Sequence, residues 1–310
     1  MVLLSLRSKI ETQWPHFQNS IQQHPSILEN LPRLLAFGYS ISGLFHHRFV
    51  ANPQFEEYVG QLSASFNAAA CCIDRIWDVE QEYLSITQRR ITVSNLECGL
   101  VNSCSSSPIF SRGFNESTPV LPRLACKLLD IFTSDLYPIL NSLLISQTIR
   151  KSYFRSIIML LRTYLHSSKL YIKHGIPMST LSASLQEIGS GPFRIMAQLS
   201  LLTIEKCNLT DWIRFSQESL IVGNIFRWID DLVDIVEDFS LGQWNSIWLL
   251  FAKRGGMIVN EDGCLRQLDE ILPELIESGV IEYVASRIIQ NWILLDRPKE
   301  VSWWVQAWLS

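Results

Sequence analysis

Charged residues are scarce in this chain: Asp, Glu, Lys and Arg make up 18% of its 310 residues, where a soluble domain ordinarily carries about a quarter. With 47% hydrophobic residues and a mean hydropathy of +0.14, much of the helix surface has to face other helices rather than water. Basic clusters are lacking as well. The formal net charge is −4, which argues against a phosphate-backbone footprint, so no nucleic-acid partner is expected. The seven cysteines include no CxxC pair and no Cys/His zinc spacing; an odd number without framework spacing reads as reduced thiols in a cytoplasmic protein. No stretch reaches the roughly 18 uninterrupted apolar residues of a membrane helix. The opening MVLLSLRSKIETQW is broken by Arg7 and Lys9 before it could serve as a secretory core. The expectation is a chain with no transmembrane segment, with peripheral contact to a membrane surface left open. Strand signals are also missing, since there is no sustained period-two alternation and no Asn-Gly hairpin.

What is present is helical periodicity. Segments 55–90, 121–146, 148–174, 178–205, 209–240 and 265–295 carry apolar residues at three- and four-residue spacing, over lengths that no strand reaches. Pro and Gly fall mostly between them, for example Pro108, Gly113, Pro119, Gly175, Pro177, Gly255, Gly256 and Gly279. That punctuation predicts a single all-α domain over residues 1–310, a bundle of about ten helices. The stretch 92–122, with its SCSSSP run, is rich in Ser, Asn, Gly and Pro and reads as a mobile loop, either a surface insertion or a lid.

Chemistry concentrates in two segments. In GNIFRWIDDLVDIVEDFSLGQWNS, residues 223–246, Asp230, Asp234 and Asp238 recur every fourth residue and so share one helix face. Like charges at that spacing repel by about 0.2–0.5 kcal/mol per pair on an isolated helix, and no Lys interleaves after Arg227. A cation should offset them, and hard divalent ions take oxygen ligands. Asp231 and Glu237 fall on neighbouring faces, either helping or solvated. The second segment, SASFNAAACCIDRIWDVEQEYLSITQRR at 63–90, repeats the spacing with Asp74, Asp78 and Glu82. Alone it reads equally well as a surface helix paired with Arg75. Together the two predict antiparallel helices presenting opposed acidic ladders.

This pair of ladders, about 150 residues apart in a chain with ten tryptophans, resembles the class I isoprenoid synthase family, which includes the terpene synthases. Asp230-Asp231-Leu232-Val233-Asp234 followed by Asp238 is similar to that family's second metal motif, and Asp74-Arg75-Ile76-Trp77-Asp78 to its first, in a DxxxD form. The style is closest to the squalene/phytoene synthase-like and large-terpene-synthase branches. The resemblance implies helices around a central cavity, with three Mg²⁺ ions (or Mn²⁺) held by Asp74, Asp78, Glu82, Asp230, Asp234 and Asp238. All of these except Glu82 are also expected to be catalytic. It further implies that Arg194, beyond the apparent helix break GSGP at 189–192, and Arg227 collect a diphosphate; either could instead be a surface arginine. Lys173 and Arg89-Arg90 are weaker candidates. Asn245 resembles a diphosphate-proximal position, and a helix cap is an equally good reading. Phe66, Trp77, Phe193 and Trp228 are candidate cavity-lining aromatics, while Trp303, Trp304 and Trp308 crowd the C-terminus.

The activity so implied is ionisation of a linear prenyl diphosphate and cyclisation of the carbocation, by a monomer or homodimer. The same metal cage would serve prenyl transfer or head-to-head condensation, and a non-catalytic helical binding protein is the reading outside enzymes. Protonation-initiated cyclisation is disfavoured because no DxDD run occurs.

Overall fold

Apolar residues at three- and four-residue spacing leave each helix with a stripe to bury, and in a computed structural model the stripes pair off. The structure describes residues 53–77, 85–101, 120–142, 147–171, 178–199, 209–240, 245–258, 261 and 266–295. Among these residues there are ten helices and no strand. In chain order they are α1 (Pro53–Trp77), α2 (Ile86–Val101), α3 (Val120–Ser142), α4 (Gln147–Tyr171), α5 (Met178–Leu199), α6 (Leu209–Val233), α7 (Ile235–Ser240), α8 (Ser246–Lys253), α9 (Leu268–Glu277) and α10 (Val280–Ile293). The fold is all-α. No helix among the described residues is long and apolar enough to cross a membrane.

α1 packs on α3. Val59, Leu62, Phe66, Ile73 and Ile76 are buried on α1 and Leu124, Leu128, Leu129, Phe132 and Leu136 on α3, and the Phe66 and Phe132 rings tilt together at 5.1 Å. Each such side chain contributes about 1.5–3 kcal/mol by leaving water. α2 opens with a reciprocal cap: the Ser85 N–H donates to Gln88 Oε1 at 2.8 Å and the Gln88 N–H to Ser85 Oγ at 3.2 Å. That cap starts a helix which runs to Val101, so the loop expected over 92–122 is helical at 92–101 and again from Val120. Residues 102–119 lie outside the described residues.

α4, α5 and α6 pack in succession. Gln186 Nε2 donates to Asn224 Oδ1 at 2.7 Å, while Gln198 Nε2 reaches Ser219 Oγ at 3.3 Å, so α5 and α6 run antiparallel. Tyr153 closes the α4 side by donating its hydroxyl to the Gln198 carbonyl. The GSGP run does not break the helix. α5 continues through Pro192, whose missing N–H removes one bond, while the Ser190 hydroxyl donates to the Gln186 carbonyl one turn earlier.

The last helices form a second core of Ile247, Trp248, Phe251, Ile271, Leu275, Val280 and Val284, against which Trp228, Leu232, Ile235 and Phe239 of α6 and α7 pack. α9 turns into α10 at Gly279, whose φ of +67° suits a residue without a side chain. The segment 265–295 is therefore divided into two helices at Gly279, one of the punctuating glycines. Arg266 pins α9 through Glu274 at 2.6 Å, and Arg254 Nη1 donates to the Ser278 carbonyl at 2.8 Å.

Candidate active site

The spacing that sends Trp228, Leu232, Ile235 and Phe239 into the second core sends Asp230, Asp234 and Asp238 to the other side of the same helical stretch. Asp234 stands at a bend between α6 and α7. The backbone ladder nevertheless persists across it, with the Asp234 N–H on the Asp230 carbonyl at 3.0 Å and the Asp238 N–H on the Asp234 carbonyl at 2.8 Å. The three acids therefore keep their stacked order through the kink.

Their charges are poorly compensated. Burial, then the Asp238 and Glu237 carboxylates, push the Asp234 carboxyl up to about 6. Burial also raises Asp238 to about 6, partly offset by a hydrogen bond from Asn245. Asp230 is held well above the ordinary carboxylate range, chiefly by burial, then by Asp231, with Arg227 opposing and with Asp234 and Asp74 adding repulsion. Asp74, exposed on α1, exerts the weakest of these influences. The helices themselves do not form the opposed pair expected: α1 lies on α3 and α5, and α6 lies on α5 and α10.

Beneath the ladder lies a buried ion pair. Arg227 Nη2 sits 3.1 Å from Asp231 Oδ2, with side-chain exposures of 6% and 3%, so neither charge is solvated. That contact lies outside hydrogen-bond geometry for Asp231 Oδ2; Ser246 Oγ accepts from Arg227, and nearby Ser246 helps to lower the Asp231 carboxyl. Burial still leaves the Asp231 carboxyl raised, with Arg227 pulling it back. Asn245 is completely buried. Its Oδ1 accepts from the Ile247 N–H at 2.8 Å, and its Nδ2 donates to the Asp231 carbonyl and to Asp238 Oδ2, each at 2.8 Å. It is the cap of α8.

The remaining sequence candidates separate. Arg194 ion-pairs with Glu187 at 3.1 Å, and its Nε is buried without an acceptor among the described residues. Phe193 stacks on buried Phe226 at 4.7 Å. Phe66 is core, fully buried against Phe132, and Trp228 packs against the second core. Arg89 is buried and Arg90 exposed on α2. Asp78, Glu82, Lys173, Trp303, Trp304, Trp308 and the Trp77 side chain lie outside the described residues. Sequence reasoning missed two features, the Arg227–Asp231–Ser246 cluster and the glycines that seat the arginines. A Cβ on Gly189 would lie 2.0 Å from Arg227 Cδ, and one on Gly223 would lie 2.6 Å from Arg194 Cγ.

Among the described residues no three His, Cys, Asp or Glu side chains are gathered tightly enough to hold a metal ion by themselves. The donor chemistry nonetheless fits a hard divalent cation, because Asp74, Asp230, Asp234 and Asp238 offer carboxylate oxygens alone. No protein family, curated protein or solved structure matches the chain.

Proposed function

We propose that the chain is a class I terpene synthase that ionises a linear prenyl diphosphate at the acidic end of α1 and α6 and cyclises the resulting carbocation. The observation that carries this reading is the stacked, partly buried ladder of Asp230, Asp234 and Asp238, kept in order across the bend at Asp234. Asp74, Asp230, Asp234 and Asp238 are the residues that would hold Mg²⁺, with Asp78 and Glu82 as further ligands. Bound Mg²⁺ supplies the positive charge that a departing diphosphate requires. Arg194, which holds Glu187 through Nη1 but has a buried Nε without an acceptor among the described residues, is the candidate to donate to that diphosphate, while Arg227 is committed to Asp231 and Ser246. Arg227 instead holds the helix that carries the ladder. Phe193, partly exposed on its stack with Phe226, offers an aromatic face next in sequence to Arg194.

The test is incubation of the purified full chain with Mg²⁺ and each linear prenyl diphosphate of ten to twenty-five carbons, followed by mass spectrometry and a pyrophosphate assay. A cyclic hydrocarbon or alcohol from one substrate is the expected product. A longer chain built from two substrates would move the assignment to a prenyltransferase or condensing synthase. Absence of pyrophosphate release from every substrate would sink the enzymatic reading and leave the binding protein.

A further inference from the structure

Asn245 is the first residue to consider beyond the acids, because its type exceeds what its position demands. Ser, Thr and Asp cap a helix about as well as Asn, and a cap needs one acceptor only. Asn245 uses that acceptor on the Ile247 N–H, and it also spends both amide hydrogens, one on the Asp231 carbonyl of α6 and one on Asp238 Oδ2 of α7. One planar carboxamide thus joins three helices, and at 0% exposure no water competes for any of its bonds. Asp at this position would cap α8 equally but set a second carboxylate against Asp238. Ser would cap but leave the Asp231 carbonyl and Asp238 without their donor. Only a side-chain amide satisfies all three partners.

We infer that Asn245 is a positioning residue for the cation site: by holding one oxygen of Asp238 against a rigid helix start, it fixes the direction in which the other oxygen points. The inference rests on the acid ladder being a divalent-cation site. Neighbouring Ser246 anchors the same helix start to Arg227 and Asp231, so the carboxamide is mounted on a support with little freedom. Partners that orient a metal-binding carboxylate typically affect metal affinity by about 10–100-fold.

Two measurements on the full chain test this. The first uses thermal melts in chelator on Asn245→Asp, Asp238→Asn and the double variant, which exchanges donor and acceptor. The double variant is expected to recover part of the Tm lost by Asn245→Asp, the part due to the Asp238 bond, while the Asp231 carbonyl stays without its donor. If it melts no higher than Asn245→Asp, the Asn245–Asp238 bond is not a real coupling and the inference fails. The second measures Mn²⁺ binding by electron paramagnetic resonance in the original chain, in Asn245→Ser, which keeps the cap acceptor, and in the exchanged double variant. Binding at least about tenfold weaker in Asn245→Ser, and not restored in the stable double variant, is expected. Undiminished Mn²⁺ affinity in Asn245→Ser reduces Asn245 to a cap and overturns its positioning role. No Mn²⁺ binding by the original chain removes the cation site itself, and the inference with it. Should Asn245→Ser fail to fold, Asn245→Thr, which keeps the cap acceptor and adds no charge, replaces it in the binding assay under the same criteria.

Discussion

Asp234 and Asp238 carry carboxyls that lose their protons only near pH 6, against an ordinary 3.8, because burial and neighbouring acids penalise the charged forms. A folded-state value above the unfolded one means that the folded chain binds more protons between about pH 4 and 6, so these residues make folding less favourable as pH rises through that window. Above it the penalty is complete, and below about pH 4 it is gone. Asp234→Asn removes one such charge at constant volume. It is therefore expected to raise the Tm of the metal-free protein at pH 7.5 and to raise it less at pH 4.5, as melts at the two pH values will show. Equal Tm changes at both would mean that Asp234 is not electrostatically strained. The same substitution is expected to lower turnover at least tenfold, about 1.4 kcal/mol of transition-state stabilisation, with partial recovery at higher Mg²⁺. A more stable and less active variant is the signature of a charge retained for function.

At the scale of elements, the α6–α7 stretch was largely legible in the sequence. Four-residue recurrence of Asp230, Asp234 and Asp238, opposite Trp228, Leu232, Ile235 and Phe239, marks out an acidic face and an apolar face to be buried, because residues four apart stack on one side of a helix. The bend at Asp234 was not legible, and neither was the fate of Asp231. Its neighbour Ser246 comes from the start of α8, and only the packing of α8 against α6 brings the two together. The seating of Arg227 at Gly189 and of Arg194 at Gly223 was equally hidden, because it depends on the register of α5 against α6. A GSGP run that looks like punctuation turns out to be a place where two helices exchange long side chains. Ala at Gly223 would set a Cβ 2.8 Å from the Ser190 carbonyl, a backbone atom that cannot step aside. Gly223→Ala is therefore expected to reduce the unfolding free energy by about 1–3 kcal/mol in urea titrations. An unchanged midpoint with an unchanged slope would show that the helices are not so closely set.

For the whole molecule, the consequence of this arrangement is that one end of the bundle gathers like charge while the rest of the fold holds it there. The all-α class was legible because helical periodicity runs through nearly every described segment. The placing of α1 against α5, and of α5 against α6, is a topology that spacing alone cannot specify. Buried packing and the Asn245 and Ser246 ties resist any relaxation that would spread the acids apart, so an added divalent cation should relieve the repulsion and stabilise the fold as a whole. A ligand that binds only the folded chain at one hundred times its Kd contributes about 2.7 kcal/mol, which for a chain of this length is a Tm rise on the order of 5 °C. The rise with Mg²⁺ is expected at pH 7.5 and should shrink at pH 5, where the cation must displace protons from Asp234 and Asp238. NaCl at matched ionic strength should give less, since screening acts weakly on partly buried charges. Combining Asp74→Asn with Asp230→Asn should raise the metal-free Tm and abolish most of the Mg²⁺ response, because the two segments then no longer oppose each other with charge. Scanning calorimetry of the original and doubly substituted chains, with and without Mg²⁺ at both pH values, measures all of this. A Tm that ignores Mg²⁺ at pH 7.5 would mean that the acids meet without forming a cation site.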